Sequence, residues 1–431
     1  MKLNRLEKQT FLLLLGAAIF NGFVTGSFQV QDIIAKKALH ALDWQITILV
    51  MLWPVSNLIS IWWGKLLEHS QSISRFFILT AVMGRLPLLL MLFVSGFNQY
   101  LLIMALLFSF NALISPAQNT IYQSNFQKKN RGLAFGYIAS VTTLIILVFS
   151  FVSGRLLDMN ENWFRQIFGI VGIMGVIGAV FFAVIRIRKT RFHDKAFLSI
   201  RELFISPVRR SFEVLHKNRY FAYFERNFFI YGIAYMILLP AIPKYLVEYL
   251  KMDYSETFLA KGIISQVGIL LLAPLAGKIF DRKNPAYFSF LTYASLTLYP
   301  VLLLLSSFFI GYAKVNYIVY FAFLLFGISM SAIFISWNIS SIFFANEEDV
   351  SMYQGLHVTL TGLRALFAPF LGYLIMRLLS VQAVFVFAAI LFLLASALSY
   401  KLYLHMMYEE MKLNSREVKH FIYLRKIFPF N

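Results

Sequence analysis

Along this chain the apolar positions neither alternate nor follow a one-sided helical stripe. They come in unbroken runs of roughly 20 residues or more, each long enough at 1.5 Å per residue to cross about 30 Å of hydrocarbon. Twelve such runs lie near residues 10–34, 45–66, 75–96, 99–124, 132–154, 164–186, 223–247, 257–280, 286–310, 316–344, 354–378 and 382–404. A β-barrel needs short alternating segments instead. The pattern predicts an all-α integral membrane protein with twelve transmembrane helices. The first run is too long for a removable signal peptide and continues into further spans. The longest polar stretch, 187–222, reads differently. Phe197, Ile200, Leu203, Phe204, Val208, Phe212 and Leu215 recur at three-to-four spacing with Arg201, Arg209, Arg210 and Lys217 between them. That spacing predicts a basic amphipathic helix lying on an anionic leaflet.

Composition sharpens this picture. The 431 residues are 59% hydrophobic and 14% charged, against about 25% charged in soluble domains. The net charge of +19 is a matter of placement. With the N-terminus in the cytoplasm, the segments on that side hold 27 of the 39 Lys and Arg, and the opposite side holds eight. The asymmetry follows the positive-inside rule, so both termini are expected in the cytoplasm and a nucleic-acid partner is not. Cysteine is absent, which excludes disulfides and thiolate metal sites. No nucleotide-binding glycine loop, metal-ligand cluster or nucleophile motif occurs. Neither an enzyme nor a bound cofactor is expected.

A tandem repeat organises the chain. Gly64-Lys65-Leu66-Leu67-Glu68, after the second run, returns 213 residues later as Gly277-Lys278-Ile279-Phe280-Asp281, followed by Arg282, and the same offset pairs Pro87 with Pro300. Repeats at half-length mark many secondary transporters. Six plus six spans, a long basic middle segment and a Gly-Lys-x-x-acid loop after spans 2 and 8 together resemble the major facilitator superfamily over nearly the whole length. The resemblance implies two pseudo-symmetric six-helix bundles, 1–186 and 223–405. They would be joined by the linker 187–222 and followed by the basic tail 406–431. It also implies a cytoplasmic gate made of Gly64, Lys65, Glu68, Arg131, Gly277, Asp281 and Arg282, with Glu68 meeting Arg131 in one conformation only. The acidic run Glu347-Glu348-Asp349 lies on the same side. A span-4 Arg motif for proton coupling and a Gly-Pro-rich span 5 are both missing, against a multidrug antiporter.

Polar residues inside hydrocarbon are costly, so their positions carry information. In span 1, Asn21, Thr25 and Asp32 share one face. In span 4, Asn111, Ser115, Gln118 and Tyr122 repeat the arrangement. Span 7 offers Asn227, Tyr231 and Tyr235. Span 10 offers Trp337 and Asn338, with Ser329, Ser336 and Ser340 nearby. The resemblance makes these four spans the walls of a substrate cavity; ordinary interhelical packing is the alternative for any one of them. Arg364, deep in span 11 on a face with His357 and Thr361, is a candidate anchor for an anionic group. Asp32, Glu225 and His357 are candidate coupling sites, although Asp32 has Lys36 one turn on. Glu225 and Arg226 are expected to reach for the cytoplasmic interface, Lys261 to be interfacial, and Arg85 to lie on a peripheral helix.

The expected function is secondary active transport of a small solute, with the substrate open to an anion, driven by a proton or other ion gradient through alternating access. The expected setting is the cell (inner) membrane, as a monomer in contact with anionic lipid. A lipid or lipophilic-compound exporter and a non-transporting receptor or scaffold are the competing readings.

Overall fold

The computed structural model describes residues 3–68, 72–187, 213–270, 279, 284–345 and 350–413. Among these residues there is no strand. The helices are α1 (Arg5–Lys37), α2 (Asp43–Glu68), α3 (Ile73–Phe93), α4 (Phe97–Asn125), α5 (Lys128–Met159), α6 (Phe164–Val184) and α7 (Arg219–Tyr249). They continue as α8 (254–270), α9 (Pro285–Ser307), α10 (Val315–Ala345), α11 (350–378) and α12 (Val381–Leu413). Each predicted apolar run is helical wherever it is described. Ten helices among the described residues are long and apolar enough to cross a membrane. Large apolar side chains such as Leu90, Leu102, Leu144, Ile170, Phe321 and Ile390 stand exposed on the outside. A water-soluble protein would not leave so broad an apolar surface bare.

Local chemistry sets the ends. Asn4 and Glu7 form a reciprocal capping box at the start of α1, each side chain accepting the other's backbone N–H at 2.9 Å. The second Glu7 oxygen accepts from the Gln127 backbone N–H at 2.9 Å and the Asn130 amide at 3.1 Å, so a buried carboxylate joins the starts of α1 and α5. Pro87 cannot donate a backbone hydrogen bond. Around it α3 changes from a wide π turn over Thr80–Arg85 to tight 3-10 winding over Leu86–Phe93. Two non-glycine residues take left-handed backbone angles, His40 (φ 48°) between α1 and α2 and Lys251 (φ 52°) between α7 and α8. They stand at equivalent turns of the two halves of the sequence.

Within the first half α1 packs on α5 and α6, and α3 on α6; within the second, α9 packs on α10 and α12, and α12 on α7. Contacts between the halves run through α2 with α7 and α11, and through α5 with α8. Glycines let backbones touch: a Cβ on Gly327 would collide with the Ser265 carbonyl oxygen, and one on Gly268 would lie 2.9 Å from the Ile328 nitrogen. These contacts press α8 against α10. By contrast, a Cβ on Gly355 in α11 would meet nothing within 4 Å. We therefore expect Gly327→Ala to destabilise the fold by about 1–3 kcal/mol through overpacking. Gly355→Ala is expected to be neutral or to gain up to about 1 kcal/mol of helix propensity. Thermal unfolding of the purified protein in detergent compares the two.

Candidate functional site

The end of the molecule carrying the N-terminus is called the near face, and the opposite end the far face. Four groups of polar side chains matter, three inside the helices and one at the far face.

In the second half, Glu225 of α7 and His357 of α11 come together, with Oε1 2.8 Å from Nδ1 and both side chains buried. Glu225 does not reach for the interface; it is buried against the imidazole of His357, whose ring is packed by Phe224, Phe228 and Trp337. Arg226, one residue on, is the exposed one; it lies over the Tyr223 ring and donates to Asn227 Oδ1. The His357 Nε2 has no partner, and neither does the buried Nδ2 of Asn227.

Two turns along α11, Arg364 is also buried. It donates to the Phe228 carbonyl at 2.5 Å and to Thr361 Oγ1 at 3.4 Å, and its guanidinium lies over the rings of Phe228 and Tyr231. Gly232 makes the room, since a Cβ there would overlap the guanidinium. Its Nε is unpartnered, and among the described residues no carboxylate pairs with it. Carbonyl and ring contacts of about 2 kcal/mol each stabilise such a cation only in part. Tyr231 stacks on Tyr293 with centroids 4.9 Å apart, and Tyr235 on Phe326 at 6.1 Å.

In the first half, Asn21 and Asn111 do share a site, and the residue that joins them is Arg85. Its Nη2 donates to Asn111 Oδ1 at 2.6 Å and to Asn21 Oδ1 at 3.3 Å. Arg85 is fully buried although Val82, Met83 and Leu86 beside it are exposed, so α3 lies on the outside and its Arg85 side chain reaches inward. Thr25 donates back to the Asn21 carbonyl, Gln118 is half-buried, and Tyr122 packs on Phe126 and Phe135. The side chains of Ser115 and Asn338 lie outside the described residues. Ser329 bonds Ser295 of α9 and Ser336 bonds Ser340, so these serines serve packing.

The far face holds the charges that the sequence assigned elsewhere. Asp32 does not face Lys36; it pairs with Lys261 of α8, which is largely buried. Lys36 pairs with Asp43 at 2.7 Å and with Glu248, and Lys244 pairs with Asp43 and with Glu248 at 3.6 Å. Lys37 donates to the Met252 carbonyl at 3.1 Å and sits over the Tyr254 ring. Asp158 of α5 accepts from the backbone N–H groups of Tyr254 and Ser255, at 2.8 and 3.0 Å, at the start of α8. All of these ties except Lys36–Asp43 and Lys244–Glu248 run between the halves. Above them opens a depression of about 530 Å³ lined by Lys36, Lys37, His40, Asp43, Glu161 and Glu248. Toward the near face the halves touch through stacked Phe135 and Phe334, 6.4 Å apart.

Of the expected near-face gate, Arg131 donates to the Gln123 and Phe126 carbonyls at 2.6 and 3.0 Å, closing the α4–α5 turn. Gly64, Lys65 and Glu68 end α2, but their side chains lie outside the described residues. Gly277, Asp281, Arg282, the 347–349 acids and most of the 187–222 linker also lie outside them. Asp43, Glu248 and Asp158 were missed in sequence because each reads as an ordinary charge at the end of a span, Lys244 was passed over inside the run 223–247, and Lys36 was assigned to Asp32. The available signal was the concentration of acids at the far ends of spans 1, 5 and 7 in a chain with only 20 of them.

A family model described as Major Facilitator Superfamily matches residues 9–345. The chain belongs to that superfamily. No curated protein matches it in sequence. Among solved structures, a point variant of the nucleoside transporter NupG aligns with a TM-score of 0.74 at 14% identity, covering 93% of this chain and 100% of its own. A bacterial homologue of the human drug peptide transporters gives 0.70 at 10% identity over 92% and 98%. A D-xylose-proton symporter gives 0.69 at 10% over 91% and 97%. At these identities the likeness is one of fold.

Asp43 shows what holds this superfamily member shut at its far face. Partial burial pushes its carboxyl up, but hydrogen bonds and attraction from Lys244 and Lys36 outweigh this and hold it below the usual carboxylate range. An acid held low stabilises its tied state above its free value near 3.9, and loses that contribution as pH falls through the lowered value. The far face is thus expected to stay tied from pH 8 to 5, with Asp43→Asn loosening it at neutral pH. A single cysteine at the buried position Ala41, in this cysteine-free chain, should react with a membrane-impermeant maleimide several-fold faster in the Asp43→Asn background.

Proposed function

We propose that this chain is a secondary active transporter that works by alternating access. The carrying observation is the character of the far-face closure. The halves meet there through ion pairs and backbone hydrogen bonds beside an apolar contact that joins Ile33, Ile34 and Leu157 to Leu246, Tyr254 and Phe258. Partly exposed ion pairs contribute about 0–1 kcal/mol each, and in a largely buried one such as Asp32–Lys261 desolvation offsets much of the attraction. Several together give the few kcal/mol by which two conformations differ when both must be visited. In this reading two six-helix bundles, 1–186 and 223–405, rock about a midplane site. The near face is cytoplasmic, on the positive-inside rule. The far-face ties and the gate around Gly64 and Gly277 break in turn. The protein works as a monomer in the cell membrane, with the 187–222 stretch and the tail on anionic lipid.

Coupling to protons fits the buried Glu225–His357 pair, because a carboxylate oxygen and an imidazole nitrogen 2.8 Å apart can pass a proton between them. The solved structures of this fold include proton dependent oligopeptide transporters and a D-xylose-proton symporter. An intramembrane Arg364 without a carboxylate partner supports a solute carrying negative charge.

A counterflow screen in proteoliposomes, with and without an inward proton gradient, tests this reading. A small solute is expected to accumulate with the gradient. Glu225→Gln should lose gradient-driven accumulation by ten-fold or more and keep solute exchange. If no solute moves, the receptor or scaffold reading stands instead. If the Gln variant accumulates like the parent, the proton site lies elsewhere.

A further inference from the structure

Arg85 does more than fill space between α1, α4 and α6. A guanidinium has donors only, so the group that each asparagine turns toward it must be the oxygen. With Oδ1 of Asn21 and Oδ1 of Asn111 both accepting from the same Nη2, the two amides are locked in one orientation. Each Nδ2 is therefore turned away from Arg85. Neither Nδ2 has a partner among the described residues, and neither side chain is fully buried, so both donors are left to a partner outside the protein. Arg85 itself is fully buried, with Nε and Nη1 unpartnered. Its stem is held against α6, where a Cβ on Gly175 would lie 2.9 Å from its Cδ and one on Gly172 would lie 3.2 Å from its carbonyl oxygen. Among the described residues no carboxylate pairs with it. A buried, uncompensated cation thus stands directly behind two fixed N–H donors contributed by different helices.

We infer that Asn21 and Asn111 form an oxyanion subsite in the first half of the molecule, with Arg85 as its positioning residue. The ligand group is a carboxylate or phosphate of the transported solute. Its oxygens accept from the two amides, while the Arg85 charge supplies the favourable potential without contact. The inference rests on the transport reading only in taking the bound anion to be the transported solute. It gives the first half an anion-attracting site of its own, separate from Arg364, so that a solute with two acidic groups spans both halves.

The test uses the full chain in detergent and needs no transport. Thr25 lies one helical turn beyond Asn21 and is half-buried, while Ser95 in the α3–α4 turn is exposed and serves as reference. Thr25→Cys and Ser95→Cys, each as the chain's only cysteine, are reacted with the anionic sulfonatoethyl and the cationic trimethylammonioethyl methanethiosulfonates. The anionic-to-cationic rate ratio at position 25 is expected to exceed that at position 95 by roughly ten-fold, the scale of local concentration by a focused charge. Arg85→Gln should bring the ratio down to the reference. So should Asn111→Asp, which gives Arg85 a carboxylate partner and keeps the core satisfied. Succinate or inorganic phosphate, compared with chloride at equal ionic strength, should slow labelling at position 25 in the parent and not in either variant. Succinate protection identifies a carboxylate ligand and phosphate protection a phosphate. The inference is overturned if the ratio ignores both variants, if neither anion protects, or if position 25 does not react at all. Failure of Glu225→Gln to affect transport would leave these rates as they are, so the two readings fail separately.

Discussion

Everything polar in this molecule is governed by the cost of placing charge in hydrocarbon without a partner. That cost decides where charged side chains stand. Glu225 is acceptable inside because His357 meets it. Lys36, Lys244 and Lys261 are acceptable near the interior because acids from the other half meet them. Arg364 and Arg85 are the exceptions: their hydrogen bonds go to neutral oxygens, and each keeps an unpartnered N–H. In a fold otherwise so frugal with charge, these are the two cations buried without an acid against them among the described residues.

The architecture was legible because its cause is local. A run of 20 apolar residues has one stable form in a bilayer, so run length alone gave the helices. The 213-residue offset pointed to two copies of one unit before any contact was known. Helical spacing put Asn21 and Asn111 on the stripes of α1 and α4, and both accept from Arg85, whereas Asp32, Thr25 and Tyr122 of the same stripes take other partners. Long-range pairings were not legible. Glu225 and His357 are 132 positions apart, and Asp32 and Lys261 are 229 apart. Local reasoning therefore chose local partners, Lys36 for Asp32 and the interface for Glu225. Arg85 was underrated because helix order says which helix lies outside, but not how far a long side chain reaches across it. Pro87 carries the missing signal, since the change of winding it enforces occurs at Arg85.

Dynamics follow from how each contact is made. The backbone approach of α8 to α10 at Gly268 and Gly327 has no slack, so these helices move together. The far-face ties are long, polar side chains that can exchange a protein partner for water with little change in free energy. The seam between the halves is mixed, because beside these ties a Cβ on Gly154 of α5 would lie 3.0 Å from the Ser255 Cα and one on Gly262 of α8 would overlap the Ser150 hydroxyl, so α5 and α8 also touch without slack.

The square of Lys36, Asp43, Lys244 and Glu248 has one lysine and one acid from each half, alternating in sign. The two acids do not occupy equivalent places: Asp43 opens α2, Glu248 lies at the end of α7, and the 213-residue offset would pair Asp43 with Glu256. The figure is therefore an asymmetric one in which each lysine is shared between an acid of its own half and an acid of the other. Neutralising either acid leaves both lysines with one partner each, so the corner loosens by degrees and no single side chain holds it alone.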